Sequence, residues 1–275
     1  MNNHLAPIGV FDSGVGGLSV LRAIRAQLPS EEVVYFADQV HVPYGPRPLE
    51  EVRMFSDSIT RFLLRYEAKL IVVACNAASA AALQSLRQTF PDIPFVGMEP
   101  AVKPAAEVTH SGVVGVLATP ATFQGVLYTS VVARFAKDVK LLQSTCPGLV
   151  EQIEHGEMET AETRRILEEA LLPMLAQGLD TIVLGCTHYP FVIPLIREIA
   201  GDEVRIIDPA PAITLQVGRL LRAGKMLNEK EAGSGSGRLH FFTSGEVKNF
   251  TSLLPRLLGE TGEVTHVDWS GDKIV

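Results

Sequence analysis

Ile71-Val72-Val73-Ala74-Cys75-Asn76 and Ile182-Val183-Leu184-Gly185-Cys186-Thr187 are two copies of one pattern, an apolar run ending in a cysteine and then a hydrogen-bonding residue. The cysteines stand 111 positions apart. A second, fainter pair precedes them: Gly9-Val10-Phe11-Asp12-Ser13 and Gly115-Val116-Leu117-Ala118-Thr119, offset by 106. Runs this short and this rich in Val and Ile, without polar alternation, read as parallel strands covered on both faces. The near-equal offsets suggest two similar lobes. Further short runs extend the set to Ile8–Phe11, Val33–Ala37, Leu70–Ala74, Phe95–Gly97, Val113–Leu117, Val139–Leu142, Thr181–Leu184, Arg205–Ile207 and His240–Thr243. Helix-length amphipathic stretches lie between them. In Leu49–Tyr66, residues Val52, Phe55, Ile59, Phe62, Leu63 and Tyr66 recur at three-and-four spacing behind Pro48. The expected fold is therefore α/β: two similar lobes, each a mostly parallel sheet flanked by helices.

Composition narrows the function classes. With 275 residues, 47% of them hydrophobic and 20% charged, the chain can bury one large or two moderate cores. A formal charge of −7 lacks the basic excess of a general nucleic-acid binder. Three cysteines do not make a disulfide scaffold and fit a reducing cytoplasm. The start, MNNHLAPIGVFDSG, has neither basic n-region nor apolar h-region, so no secretory signal is expected. Ser111–Ala133 is uncharged but is interrupted by Gly115, Pro120, Gln124 and Gly125, and it reads as strand, turn and helix start rather than a membrane span. Asn228–Gly237 is polar and Gly/Ser-rich and is expected to be an exposed flexible loop.

Ligands of open α/β sheets sit beyond the carboxyl ends of the strands. Four polar clusters fall there: Asp12-Ser13, Asp38, Cys75-Asn76 and Cys186-Thr187-His188. Each also has a bland reading. A free cysteine is commonly a small buried hydrophobe, an Asp after a strand is commonly a helix cap, and His188 can cap a helix starting near Pro190. Both cysteines occupy equivalent places in the repeat, which favours chemistry. A histidine two residues from a thiol can hold a proton or favour thiolate, and Asp12 can steer the other thiol or bind an ammonium group. Cys146, before Pro147-Gly148, reads as structural. No Cys-x-x-Cys or His-x-x-x-His spacing suggests a metal. Asp12-Ser13-Gly14-Val15-Gly16-Gly17 lacks the P-loop ending; its glycines are expected to permit a tight turn and close approach of backbone to ligand.

The motifs resemble those of the aspartate/glutamate racemase family, and of its glutamate racemases in particular. The resemblance rests on Gly9 to Val20, Val42-Pro43-Tyr44-Gly45, Ala74 to Ser79, Cys146-Pro147 and Leu184 to Pro190, which occur in order over most of the chain. It implies cofactor-independent interconversion of L- and D-glutamate, supplying D-glutamate for peptidoglycan synthesis. Carried over residue by residue, Cys75 and Cys186 are the acid/base thiols, assisted by Asp12 and His188. Asp12, Ser13, Tyr44, Gly45, Asn76, Ala77, Thr119, Thr122, Thr187 and His188 match substrate-holding positions. Glu154, eight residues after Cys146, and Asp38 are auxiliary candidates. The resemblance also implies lobes of 1–97 plus 209–275 and of 98–208, with the active site in the cleft between them. The family pattern is Cys-Asn-Thr-Ala-Ser, and here Ala77 replaces the threonine; a lost hydroxyl donor is worth about 1 kcal/mol, more to a charged group.

Racemisation requires a proton removed from one face of Cα and another delivered to the opposite face, which two thiols can do. Alternatives remain open: a racemase of a related substrate such as aspartate or a hydantoin, a cysteine hydrolase using His188, or a two-lobed solute-binding module. The expected partners are glutamate and, since two-fold pairing is the commonest assembly, a second copy in a homodimer. Neither nucleic acid nor membrane is expected.

Overall fold

The computed structural model describes residues 3–229 and 236–275. Strands are numbered in chain order: β1 (Ile8–Asp12), β2 (Val33–Ala37), β3 (Leu70–Val73), β4 (Phe95–Gly97), β5 (Val113–Ala118), β6 (Lys140–Ser144), β7 (Thr181–Gly185), β8 (Arg205–Ile207), β9 (Leu239–Thr243) and β10 (Glu263–His266). They form two parallel sheets. One has the order β10-β9-β2-β1-β3-β4 and the other β6-β5-β7-β8. Within the first sheet, β2-β1-β3-β4 runs in the same order as the whole of the second.

The register shows that the repeat is structural. Gly9 pairs with Ile71 and Phe11 with Val73 in the first sheet; Gly115 pairs with Ile182 and Leu117 with Leu184 in the second. These are the residues that the sequence offsets align. Cys75 and Cys186 therefore leave equivalent strands at equivalent ends. Strands β1, β2, β3 and β7 are buried at every position, as expected when helices cover both faces.

Helix 49–65 buries Val52, Phe55, Ile59, Phe62 and Leu63, with Pro48 at its N-cap and Glu50 and Glu51 in the first turn. Tyr66 stands just past the helix end and is largely exposed, so it does not belong to that buried stripe. The uncharged stretch resolves into β5 and the helices Pro120–Gln124 and Val126–Phe135. Among the described residues no helix is long and apolar enough to cross a membrane.

The chain returns to the first sheet at its end, where β9 pairs with β2 and β10 with β9. Strand β10 was not expected from the sequence: Glu-Val-Thr-His alternates and stands at a partly exposed edge, so it carries no continuous apolar signal. The same holds for the hairpin Trp269–Ser270/Lys273–Ile274. Much of the expected loop Asn228–Gly237 lies outside the described residues. Its two ends are anchored rather than exposed: Asn228 donates to Glu31 and to the Ser30 carbonyl, and the Gly237 N–H donates to the Pro29 carbonyl.

Candidate active site

The carboxyl ends of β1, β2 and β3 face those of β5 and β7 across a cavity with about 270 Å³ of empty space. Ser13, Pro43, Tyr44, Gly45, Cys75, Asn76 and Ala77 line it from one side; Thr119, Val150, Cys186, Thr187 and His188 line it from the other. The halves interlock. Ser19 Oγ donates to the Thr187 carbonyl at 2.8 Å, the Ala121 N–H donates to the Gly45 carbonyl at 3.0 Å, and the Val15 N–H donates to Glu154 Oε1 at 2.8 Å.

Cys75 is the N-cap residue of helix 76–89, in extended conformation, so its thiol and the first helical N–H groups share one end of the cavity. Its sulfur lies 4.0 Å from Ser13 Oγ. Burial, and then the Asp12 carboxylate, push this thiol well above the usual cysteine range. Asp12 is fully buried. Its Oδ2 accepts the Gly17 N–H at 2.9 Å and the Gly14 N–H at 3.3 Å, and Thr187 Oγ1 donates to Oδ1 at 3.4 Å. Burial raises its pKa, opposed by the charge of His188 and the Gly17 N–H.

The other thiol has a different neighbourhood. His188 Nδ1 is 3.7 Å from Cys186 Sγ, and His188 Nε2 is 2.6 Å from Glu154 Oε1. Burial opposes charge on the imidazole, but hydrogen bonds to Cys186 and Glu154 raise its pKa well above the ordinary value. Burial likewise opposes charge on Glu154, yet the bond to His188, Gln39 Nε2 and the Val15 N–H lower its pKa. Both directions favour imidazolium beside carboxylate in this pair. One thiol is backed by a carboxylate, the other by a cation.

Asn76 carries the clearest mark of a ligand. Its side chain is buried in the cavity wall, and neither Oδ1 nor Nδ2 has a hydrogen-bond partner among the described residues. An unpaired buried amide costs about 1–3 kcal/mol, so a polar molecule in the cavity would relieve it.

Residues 8–217 match the family described as Asp/Glu/Hydantoin racemase. The chain belongs to this racemase family. It is 48% identical over 264 residues to a glutamate racemase of Ectopseudomonas mendocina, covering 96% of this chain and 99% of that protein. It is 49% identical over 251 residues to a glutamate racemase of Roseiflexus, covering 91% and 92%. Among solved structures, a glutamate racemase isoform from Bacillus anthracis superposes with a TM-score of 0.84 at 35% identity over 96% of this chain and 97% of that one. A glutamate racemase from Francisella tularensis in complex with D-glutamate gives 0.82 at 28% identity, over 97% and 98%.

In this racemase most expected residues meet at the cavity, but four stand behind its wall. Asp12 lies behind Cys75, and Glu154 lies behind His188. Thr122 is set back, its hydroxyl 3.1 Å from that of Thr119. Asp38 does not reach the cavity at all. It accepts from Tyr44 Oη at 2.6 Å, Ser244 Oγ at 2.9 Å and Trp269 Nε1 at 2.8 Å, and so anchors the loop that carries Tyr44 and Gly45. The helix-capping reading of His188 fails, because its ring makes no cap bond and spans Cys186 and Glu154.

Cys146 is buried with its thiol pushed up to about 12 by burial, an inert environment. Val150 and Gln39 went unseen in the sequence. Val150 stands one helical turn before Glu154 on helix Leu149–Glu154, so placing Glu154 would have found it. Gln39 has no local signal. The glycines of the Asp12–Gly17 loop have negative φ. They are needed for close approach to the opposite wall: a Cβ on Gly14 would collide with the Glu154 carboxylate, and one on Gly16 with the His188 ring. The close approach that the structure shows is to the protein's own opposite wall.

Proposed function

We propose that this enzyme, an amino-acid racemase, interconverts L- and D-glutamate by passing protons between Cα and two thiols. The observation that carries the reading is the pair of buried thiols, from equivalent strands of two sheets, that line one cavity with opposite electrostatic backing. With one thiol ionised and the other protonated, a proton leaves one face of Cα as another arrives at the opposite face. The roles reverse with the enantiomer. His188, charged by Glu154, stabilises negative charge on Cys186. Asp12 accepts or relays the proton of Cys75. No cofactor enters this scheme.

Among the described residues no Lys or Arg lines the cavity, so the substrate carboxylates would be held by hydroxyls and N–H groups. Asn76, Ser13, Thr119, Thr187 and the N–H groups opening helix 76–89 supply them, aided by the positive end of the helix dipole. The net −7 is thus no obstacle to an anionic substrate. The same donors stabilise the enolate-like charge at the α-carboxylate. Ala77 lines the cavity with only its methyl and its N–H to offer.

The proposal extends to organisation and setting. Residues 1–97 with 209–275 form one lobe and 98–208 the other, supported by the membership of the two sheets. The chain works as a homodimer in the cytoplasm, where its three free, buried cysteines stay reduced. There it supplies D-glutamate for peptidoglycan synthesis.

Purified enzyme without added cofactor is expected to exchange the α-proton of L-glutamate with D₂O while optical rotation decays to zero, and to act much more slowly on L-aspartate. Equal rates on the two substrates would overturn the choice of glutamate. The pH profile gives a second test. Because the His188 pKa is raised, its charge persists through neutral pH and is lost only as pH rises through that higher value. Because the Glu154 pKa is lowered, its charge is lost only below the ordinary carboxylate range. The expected kcat/KM therefore shows no step near pH 6.5, and Glu154→Gln moves the alkaline limb toward that value. A wild-type step at pH 6.5 would count against a charged pair.

A further inference from the structure

The Glu154 carboxylate takes three donors: the Val15 N–H and His188 Nε2 at Oε1, and Gln39 Nε2 at Oε2, 3.0 Å away. Two of the three reach across from the six-stranded side. Val15 contributes backbone only, so among the described residues Gln39 is the one side chain of that side that grips the carboxylate.

The direction of its amide is set by its partners at both ends. The Gly245 N–H donates to Thr243 Oγ1 at 3.0 Å, which leaves the threonine proton to go to Gln39 Oε1 at 2.8 Å. The ionised Glu154 can only accept, so Gln39 points its NH₂ at Glu154 and its Oε1 at Thr243. Thr243 is fully buried. Gly245 leaves room for the arrangement, since a Cβ there would come within 2.6 Å of Gln39 Cβ. A polarised chain thus runs from the end of β9, through a half-buried glutamine, to the carboxylate that charges His188.

We propose that Gln39 is a positioning residue for the Cys186 half of the reaction: held by Thr243, it fixes Glu154 from the opposite lobe and so holds the His188 ring against Cys186. The inference rests on the two-thiol reading above. It implies that the second thiol's apparatus is complete only while the lobes are together, although Cys186, His188 and Glu154 all belong to one of them. The titratable groups facing the pair are Asp12 at the end of β1, Tyr35 on β2 and Cys186 at the end of β7.

Gln39→Met keeps the side-chain length and removes both hydrogen bonds. The expected result is a roughly tenfold fall in kcat/KM, carried mainly by kcat, with the alkaline limb of the pH profile moved to lower pH. Thr243→Val, which removes the bond that anchors the amide, should reproduce the effect in weaker form. Gln39→Glu, which sets a second carboxylate against Glu154, should be worse than Gln39→Met. A double-mutant cycle decides the route: in a Glu154→Gln background, Gln39→Met should cost nothing further. Full activity of Gln39→Met, or a loss that is additive with Glu154→Gln, overturns the inference and leaves the two-thiol reading standing. Full activity of Glu154→Gln overturns the role of the His188–Glu154 pair as well. Circular dichroism and melting curves of each variant show whether a loss of rate comes from unfolding.

Discussion

Replacing either Cys75 or Cys186 by serine should reduce racemisation by roughly 10³-fold or more, the scale of one lost acid/base group. The two variants should still differ from each other. Enantiomers have equal free energies in water, so the racemisation equilibrium constant is one, and no variant can show unequal kcat/KM in the two directions. The separate roles of the thiols are therefore hidden from racemisation rates. They become visible with a substrate that needs only the first half of the reaction. Glutamate carrying chloride at Cβ is such a substrate: once the α-proton is removed, the electron pair expels chloride, and no second proton donor is required. Each single-thiol variant should eliminate chloride from one configuration at Cα, and the two should prefer opposite ones. The variant that keeps Cys75 should gain rate as pH rises beyond 9, because burial and Asp12 raise that thiol's pKa and its thiolate forms late. If both variants attack the same enantiomer, the thiols do not stand on opposite faces. If either racemises at a near-normal rate, the mechanism is wrong.

Much of this site was legible in the sequence because it lies at strand ends. Val33–Ala37, Phe95–Gly97 and Arg205–Ile207 have the ends read from the apolar pattern, and the other expected strands shift by a residue or two. Buried parallel strands announce themselves by unbroken Val and Ile, and the polar residues that end such runs are the ones to test for a place at the cleft. The repeat then paired Cys75 with Cys186, and the register of β1 with β3 and of β5 with β7 confirms the alignment. What could not be read were relations between distant segments. Asp38 looks like Asp12 at the end of a strand; one anchors a loop through Tyr44 and Trp269, while the other backs a thiol. Only three-dimensional proximity separates them. Gln39 and Glu154 are 115 positions apart, so no local pattern joins them. The edge strand β10 was missed for the opposite reason, since a half-exposed strand needs no apolar run.

Gly16 should tolerate alanine in folding but not in catalysis. Its φ is negative, so alanine pays no backbone penalty there. The conflict is with the opposite wall: a Cβ would stand 2.5 Å from His188 Cε1 and 2.7 Å from Thr187 Oγ1. Either the lobes part by a fraction of an ångström or the imidazole leaves its place between Cys186 and Glu154. Both outcomes strike the second thiol. Misplacement on the ångström scale can cost roughly a hundredfold in rate, and that is the fall in kcat/KM expected for Gly16→Ala. Gly97→Ala is the matched control. Its Cβ would also be crowded, 2.6 Å from Leu83 Cδ2, but away from the cavity wall. That overpacking should cost about 1–3 kcal/mol of stability and leave the turnover of the folded enzyme near normal. Thermal melts and steady-state rates on the two variants therefore separate packing from positioning. A Gly16→Ala enzyme with wild-type kcat/KM would mean that the His188 ring can move without loss, and that its contact with Cys186 is not what the second thiol depends on.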